Sequence, residues 1–242
     1  MRVIGFASGK GGVGKTTIVA NLAVLMSRWM KVIAVDADVF LPNLHAAFGL
    51  RTAATLSDVL TRKVDVEKAV YSVSTNLHVM PASPSPNLKI DGLSEIIDEL
   101  RQNYDRVLVD FSAGLSKMAS LPMELADALF LITNPERVSL ISAQKVKKMS
   151  EELGVNTGGV ILNRYAGEKD SFKLSETVLG RVVGLVRESK YVARSWEIGK
   201  PFVLLYPKSG VSKDLVNTML NITGQNRRIK PYGKLWAKLK GD

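Results

Sequence analysis

One octapeptide near the amino terminus constrains this chain more than any other feature. Residues 9–16 read Gly-Lys-Gly-Gly-Val-Gly-Lys-Thr, which fits the pattern G-x-x-x-x-G-K-S/T in full. The octapeptide follows an apolar run at residues 3–7 and opens a stretch at 16–30 that is predicted to be helical. Because a strand, a glycine-rich loop and a helix in this order form a phosphate-binding loop, we expect a nucleotide site here.

Each residue type in the loop has a physical task. The glycines allow backbone angles that turn several N–H groups toward one phosphate chain. Lys15 is predicted to reach the β- and γ-phosphates, and the Thr16 hydroxyl is predicted to ligate Mg²⁺. The residues of this segment that we predict to bind the nucleotide are Gly9, Lys10, Gly11, Gly12, Val13, Gly14, Lys15, Thr16 and Thr17.

The apolar runs predict one α/β domain over residues 1–225. They are continuous rather than alternating, which is typical of strands buried on both faces in a mostly parallel sheet. We therefore expect the fold of a P-loop NTPase, with helices on both faces of that sheet. Strands are predicted at 3–7, 32–35, 77–80, 106–109, 128–132, 159–162 and 182–186, and helices at 16–30, 93–103, near 137–153 and at 191–198.

Composition removes several classes of protein. There is no cysteine, which excludes disulfides, iron–sulfur clusters and a cysteine nucleophile, and the two histidines are too few for a multi-histidine metal site. No run of 18 apolar residues is present, so no transmembrane helix is expected. These features predict a cytoplasmic protein.

Three aspartates follow predicted strands. Asp36 and Asp38 come after the strand at 32–35, and Asp110 comes after the strand at 106–109. Carboxyl ends of parallel strands meet at one edge of a sheet, where ligands bind. Asp110 is predicted to hold Mg²⁺ through water. Asp36 and Asp38 are two residues apart and so face the same crevice. The alternative for either is that its carboxylate caps the next segment.

With Lys10 added at the start of the loop, the sequence resembles the MinD/ParA family of deviant Walker A ATPases. The Asp36-x-Asp38 pair resembles the family's D-x-D, and residues 110–114 resemble its D-x-P-x-G, with Ser112 in place of the proline. The resemblance implies binding of Mg-ATP, a dimer of two copies that encloses the nucleotides, and hydrolysis of ATP to ADP and phosphate.

The resemblance also implies roles for single residues. Lys10 reaches the partner's phosphates, unless it is simply a solvated surface lysine, and Asp38 positions the attacking water. The implied catalytic residues are Lys10, Lys15, Asp36 and Asp38. The implied residues around Mg²⁺ are Thr16, Asp36 and Asp110. The Gly114 N–H is expected to be free to approach the γ-phosphate.

Weaker motifs extend the resemblance to about residue 222. Asn163, followed by Arg164, resembles a strand-end Asn that reads adenine, since an amide offers both a donor and an acceptor. Val186 and Glu188 fall where the family has a wall of the base pocket, with Arg187 in place of a proline.

The last residues, 226–242, form a basic tail. Helical spacing puts Leu235, Trp236 and Leu239 on one face and lysines on the other, a pattern typical of a helix lying on an anionic membrane. It also resembles the family's short membrane-targeting segment. The alternatives are that this tail packs back onto the domain or that it binds DNA.

The resemblance therefore implies a MinD-like ATPase switch that forms an ATP-dependent homodimer. It would position the division septum or a partner protein, and it would attach peripherally to the cytoplasmic face of the membrane when ATP is bound. A protein activator or cargo is expected but not identified. The alternatives are a ParA-like partition ATPase that binds nonspecific DNA, or a nucleotide-dependent scaffold with little turnover.

Overall fold

The computed structural model describes residues 1–85, 88, 91–114, 121–167 and 169–225. The predicted tail at 226–242 lies outside the described residues. Its membrane, packing and DNA interpretations therefore stay predictions.

An eight-stranded sheet runs through the described part of the chain in the order β3-β4-β2-β5-β1-β6-β7-β8. Every neighbouring pair is parallel except β3 and β4, which are antiparallel. The mostly parallel sheet predicted from the apolar runs is confirmed. The strands are β1 (Val3–Ala7), β2 (Val32–Ala37), β3 (Tyr71–Ser74), β4 (Leu77–Met80), β5 (Arg106–Phe111), β6 (Ala128–Thr133), β7 (Thr157–Asn163) and β8 (Val182–Val186).

Helices cover both faces of this sheet. Alternate residues of β1 point into different cores: Ile4 and Phe6 join one hydrophobic cluster, whereas Val3 and Ala7 join the other. The described α-helices are α1 (Lys15–Met26), α2 (Leu44–Ala47), α3 (Leu56–Leu60), α4 (Leu93–Asn103), α5 (Arg137–Glu152), α6 (Lys169–Leu179), α7 (Lys190–Ile198), α8 (Phe202–Leu205) and α9 (Gly210–Ile222). Two short 3₁₀ turns occur at Val66–Ala69 and Leu121–Leu125.

The central helix α1 is buried around almost its whole circumference, which fits its apolar sequence. It packs between the sheet and α9. The helix ends at Met26, whereas the sequence predicted that it would continue to residue 30. The Ser27 hydroxyl donates to the Val24 carbonyl at 2.9 Å, and the residues that follow turn the chain into β2.

Four strands, β2, β5, β6 and β7, are longer than the sequence indicated, and in two of them this changes the setting of an aspartate. β2 continues to Ala37 and β5 to Phe111, so Asp36 and Asp110 lie within strands rather than after them. In the β2–β5 ladder Asp36 stands directly opposite Asp110. The parallel register thus places two buried carboxylates side by side.

The loops that leave the carboxyl ends of the parallel strands all reach the same edge of the sheet. The phosphate-binding loop leaves β1 there, and the loops after β2 and β5 flank it. Asn163 is the last residue of β7, and the loops after β7 and β8 carry Arg164 and Glu188. None of the described helices is long and apolar enough to cross a bilayer.

Candidate functional site

The phosphate-binding loop is held by two left-handed glycines and by a close helix contact. Gly12 has φ 78° and Gly14 has φ 91°, values that favour glycine, and Gly14 stands immediately before α1. Gly9 lies against the backbone of α5 at Ser142 and Ala143, where a Cβ atom would overlap the Ser142 carbonyl. A cavity of about 430 Å³ opens over the loop, and Asp38 and Asn43 of the segment after β2 also line it.

A buried ion pair lies beneath this cavity. The Lys15 ammonium contacts Oδ1 of Asp110, and both side chains are almost fully buried. The other carboxylate oxygen of Asp110 accepts the Thr16 hydroxyl at 2.6 Å. The structure thus brings together the predicted phosphate lysine and two of the predicted Mg²⁺ residues.

Asp36 completes this buried group but also has a structural task. Its carboxylate accepts three backbone N–H groups: Asp38 at 3.1 Å, Asn43 at 3.0 Å and Leu44 at 2.9 Å. The capping alternative is therefore observed for Asp36, because two of these donors lie at the start of α2. Its predicted place near Mg²⁺ stays a prediction.

Burial raises the pKa of Asp36 from its ordinary value of 3.8 to about 7. The value of about 7 is the net result: burial is the largest cause, the negative charge of Asp110 also raises the pKa, and the N–H groups and Lys15 lower it. Two carboxylates side by side in a dry interior are costly, and a cation near them lowers that cost.

Asp38 lies on the wall of the phosphate cavity and holds the loop that follows β2. Its Oδ1 accepts the N–H groups of Phe40 at 3.2 Å and Leu41 at 3.1 Å. The same oxygen accepts the hydroxyl of Ser112 at 3.0 Å. The serine that replaces the family's proline therefore ties the loop after β5 to the loop after β2.

Gly114 departs from its expected geometry. Its φ is 99°, and its N–H donates to the Ser8 carbonyl at 2.9 Å instead of being free. A backbone N–H in a partly buried loop takes a protein partner where one is in reach. Contact of Gly114 with a γ-phosphate would require this bond to open, and it stays a prediction.

A second cavity of about 270 Å³ adjoins the phosphate cavity. It is lined by the four residues that were predicted to contact the nucleotide base: Asn163, Arg164, Val186 and Glu188. The Asn163 amide donates to the Val13 carbonyl at 2.7 Å, so it also braces the phosphate-binding loop. Arg164 takes a left-handed conformation with φ 55°.

Other residues that line this second cavity were not predicted from the sequence. They are apolar or aromatic, and they come from α1, α7 and α8: Ile18, Val192, Trp196 and Phe202. The available signal was that Trp196 and Phe202 flank the Gly-Lys-Pro motif at 199–201. Apolar walls with a few polar groups are what a base-sized ligand needs.

The donor set under the phosphate cavity fits Mg²⁺. Among the residues that the structure describes, no cluster of three histidine, aspartate or glutamate side chains forms a metal cage. Mg²⁺ does not need one, because it usually keeps waters and phosphate oxygens and takes one or two carboxylates. Thr16, Asp36 and Asp110 offer the hard oxygen atoms that it prefers.

The parallel sheet, the glycine loop and the two joined cavities define a P-loop nucleotide-binding protein. The chain belongs to the CobQ/CobB/MinD/ParA family of nucleotide binding domains, whose model matches residues 4–202. It is 34% identical over 230 residues to an uncharacterized ATP-binding protein of Methanocaldococcus jannaschii, covering 91% of this chain and 87% of that protein.

Solved structures agree with this assignment. The cell division ATPase MinD of Pyrococcus furiosus matches with a TM-score of 0.85 and 31% identity, over 93% of this chain and 99% of that one. The septum site-determining protein MinD of Pyrococcus horikoshii, solved with Mg-ADP, gives a TM-score of 0.85 and 30% identity, over 94% and 99%. The predicted family and fold are confirmed, and the predicted nucleotide with Mg²⁺ agrees with that complex.

The packing of Gly9 on α5 generates a stability prediction. Gly9→Ala should lower the free energy of unfolding by roughly 1–3 kcal/mol, because the new methyl group must displace the Ser142 backbone. Gly11→Ala is the matched control, since nothing lies within 4 Å of a Cβ atom there. Urea unfolding of the nucleotide-free proteins measures both. Equal losses in the two variants would contradict the packing argument.

The raised pKa of Asp36 generates a pH prediction. A carboxyl with a higher pKa in the folded state binds its proton more tightly there, so its contribution to stability is largest at low pH. That contribution should fall as the pH rises between 3.8 and about 7 and then stay constant. Asp36→Asn cannot titrate, so its stability relative to the parent should rise across this window by up to a few kcal/mol.

The measurement is urea unfolding of parent and Asp36→Asn at a series of pH values, without nucleotide or Mg²⁺. The difference between the two proteins reports the titration of Asp36 together with its effect on the neighbouring Asp110, because the other titrating groups are shared. Parallel pH profiles would show that the pKa of Asp36 is not raised.

Proposed function

We propose that this chain is a MinD-like ATPase switch. It binds Mg-ATP, pairs with a second copy across the nucleotides, hydrolyses ATP, and in its ATP-bound form positions the division septum or a partner protein at the cytoplasmic face of the membrane. The observation that carries the proposal is the contrast between two lysines of one loop. Lys15 is buried against Asp110 beneath the phosphate cavity, whereas Lys10, five residues earlier in the same loop, is exposed to solvent.

Binding of the triphosphate follows from the loop. Backbone N–H groups of the loop and the start of α1 face an anion, and the helix dipole favours negative charge there. Lys15 would move its ammonium from Asp110 to the β- and γ-phosphates. Mg²⁺, held by Thr16 and the carboxylates of Asp36 and Asp110, would supply neutralisation of phosphate charge when bound.

Hydrolysis needs a positioned water. The water oxygen attacks the γ-phosphorus, the bond to the β–γ bridging oxygen breaks, and ADP and phosphate leave. Asp38 lines the phosphate cavity, where its carboxylate can orient that water. Lys10 of a second copy would offset the charge that develops on the transferred group.

The surface around Lys10 suits a second copy. Three of the most exposed aliphatic side chains in the described residues stand at this edge: Leu41 at 75%, Val138 at 66% and Ile141 at 53%. Leu41 lines the phosphate cavity, and Val138 and Ile141 precede the part of α5 that touches Gly9. An apolar surface beside a charged cavity supports association across the nucleotide face.

Variants of Lys10 and Asp38 test the trans-lysine mechanism. Lys10→Ala should still bind ATP as a monomer but should lose ATP-dependent dimerisation, and phosphate release should fall to background. Asp38→Ala should bind ATP, dimerise and stall, because the water is left unpositioned. Light scattering with ATP and a phosphate-release assay measure the two properties.

Lys63→Ala is a suitable control, because that lysine is 69% exposed and lies after α3, outside both cavities. Identical behaviour of Lys10→Ala and Asp38→Ala would contradict the trans-lysine mechanism. If the parent dimerised with ATP but released no more phosphate than Asp38→Ala, the result would instead favour the alternative of a nucleotide-dependent scaffold with little turnover.

The predicted tail is tested against lipid and DNA in parallel. Removing residues 231–242 should leave ATP binding intact and abolish ATP-dependent sedimentation with anionic vesicles. Trp236→Glu should have nearly the same effect, because it places a charge on the apolar face. Lys238→Glu should weaken vesicle binding by about 2 kcal/mol at most. Each lysine near an anionic leaflet contributes roughly 1 kcal/mol to binding, and reversing its charge about doubles the loss.

Dependence on ATP should follow from dimerisation, since two tails on one surface gain by effective concentration. Vesicles of neutral lipid serve as the control. If the truncation left vesicle binding unchanged, the membrane interpretation would fail. If the parent ignored vesicles and the truncation removed duplex DNA binding, the ParA-like alternative would replace it.

A further inference from the structure

The two cavities of the nucleotide site meet at Trp196. Four residues line both of them: Gly14, Thr17, Arg164 and Trp196. We consider a nucleoside triphosphate with its γ- and β-phosphates over the glycine loop and its base in the second cavity. The middle of such a molecule must cross this junction. The ribose and the α-phosphate are the parts of the molecule that would lie there.

At the junction the two side chains Trp196 and Thr17 are joined by a hydrogen bond. The indole Nε1 of Trp196 lies 2.9 Å from the Thr17 hydroxyl oxygen. An indole N–H can only donate, so the threonine oxygen is the acceptor. The hydroxyl therefore keeps its own hydrogen for a different partner.

The two backbone carbonyls that could accept that hydrogen each have another donor. In a helix a threonine hydroxyl commonly donates to the carbonyl three or four residues earlier. The Gly14 carbonyl, three residues before Thr17, accepts the Ile18 N–H at 3.0 Å. The Val13 carbonyl, four residues before it, accepts the Asn163 amide at 2.7 Å. Thr17 lies in the first turn of α1, where backbone N–H groups also face the cavity.

Trp196 is itself fixed on a rigid support. It belongs to α7, which ends at Gly199 in a left-handed cap with φ 68°. Gly199 packs directly on Gly49, so a Cβ atom at either position would meet the other's backbone. The partly buried indole also packs against the core cluster that contains α1.

We propose that Trp196 is a positioning residue for the nucleotide. Its indole N–H occupies an acceptor site of the Thr17 hydroxyl and thereby directs the hydroxyl hydrogen toward the α-phosphate. The inference rests on the proposed function, because it requires an adenine nucleotide in the two cavities. What it adds is an action of Trp196 on the nucleotide through Thr17, which is itself one of the predicted nucleotide-binding residues.

The test combines Trp196→Phe, which keeps an aromatic ring but removes the N–H, with Thr17→Val, which removes the hydroxyl. Each should weaken ADP binding roughly tenfold, as expected for one hydrogen bond to a charged group. Because both variants remove the same interaction, the double variant should bind no worse than Thr17→Val. Calorimetric titration with Mg-ADP measures all four proteins.

A second measurement separates positioning from simple support of the fold. The two diastereomers of ADPαS carry sulfur in place of one or the other non-bridging oxygen of the α-phosphate. The parent should prefer one diastereomer, and Trp196→Phe should reduce that preference toward equality. A loss of packing alone would weaken both diastereomers equally and leave the preference unchanged.

Trp29→Phe is the matched control, since Trp29 is exposed and lies beyond the far end of α1. It should bind ADP like the parent. Unchanged binding by Trp196→Phe, additive losses in the double variant, or a preserved diastereomer preference would each overturn the inference. Failure of the parent to bind ADP at all would instead overturn the proposed function, with Lys15→Ala as the non-binding reference.

Discussion

The interaction on which the site depends is the buried group formed by Lys15, Asp110 and Asp36. The parallel register of β2 and β5 sets the two carboxylates opposite each other. Neither could remain charged in a dry interior without compensation. Lys15 and the Thr16 hydroxyl compensate Asp110, while three backbone N–H groups compensate Asp36. The loop after β1, the start of α1 and the segment after β2 are thereby fixed to one another.

This arrangement also explains why a phosphate chain and a divalent cation should bind together. An anion that draws the ammonium of Lys15 away from Asp110 leaves two buried carboxylates without their cation. Burial and, after it, the charge of Asp110 already raise the pKa of Asp36 to about 7. A divalent cation beside Thr16 would replace the lost positive charge. We therefore expect each of the two ligands to favour the binding of the other.

The parts of the structure that could be predicted are those that depend on short stretches of sequence. The glycine loop is specified by eight consecutive residues, and strands such as β1 and β8 are continuous apolar runs with the predicted bounds. The edge strand β3 was missed because its side chains are alternately half-buried and exposed, and it is only four residues long. Strand ends at Asp36 and Asp110 were misjudged because ladder pairing, not composition, carries the strands past them.

The wall of the second cavity could not be predicted for a different reason. Trp196 contacts a residue 179 positions earlier, and an aromatic residue on an amphipathic helix is more often part of the core. The contact exists only because α7, α8 and α1 meet on one face of the sheet. Likewise, that Gly9 packs on Ser142 follows from the placement of α5 beside β1 and β6, which no local pattern records.

The loop after β2 connects this buried chemistry to the surface. Asp36 binds the N–H groups of Asn43 and Leu44 at its far end, and Asp38 binds those of Phe40 and Leu41 at its near end. One carboxylate lies in the buried charge group, and the other lines the phosphate cavity. Leu41, the most exposed of the large apolar residues described, lies at the near anchor, where its N–H donates to Asp38. A change of charge at the phosphate site would therefore act on both anchors of the loop that carries the exposed Leu41.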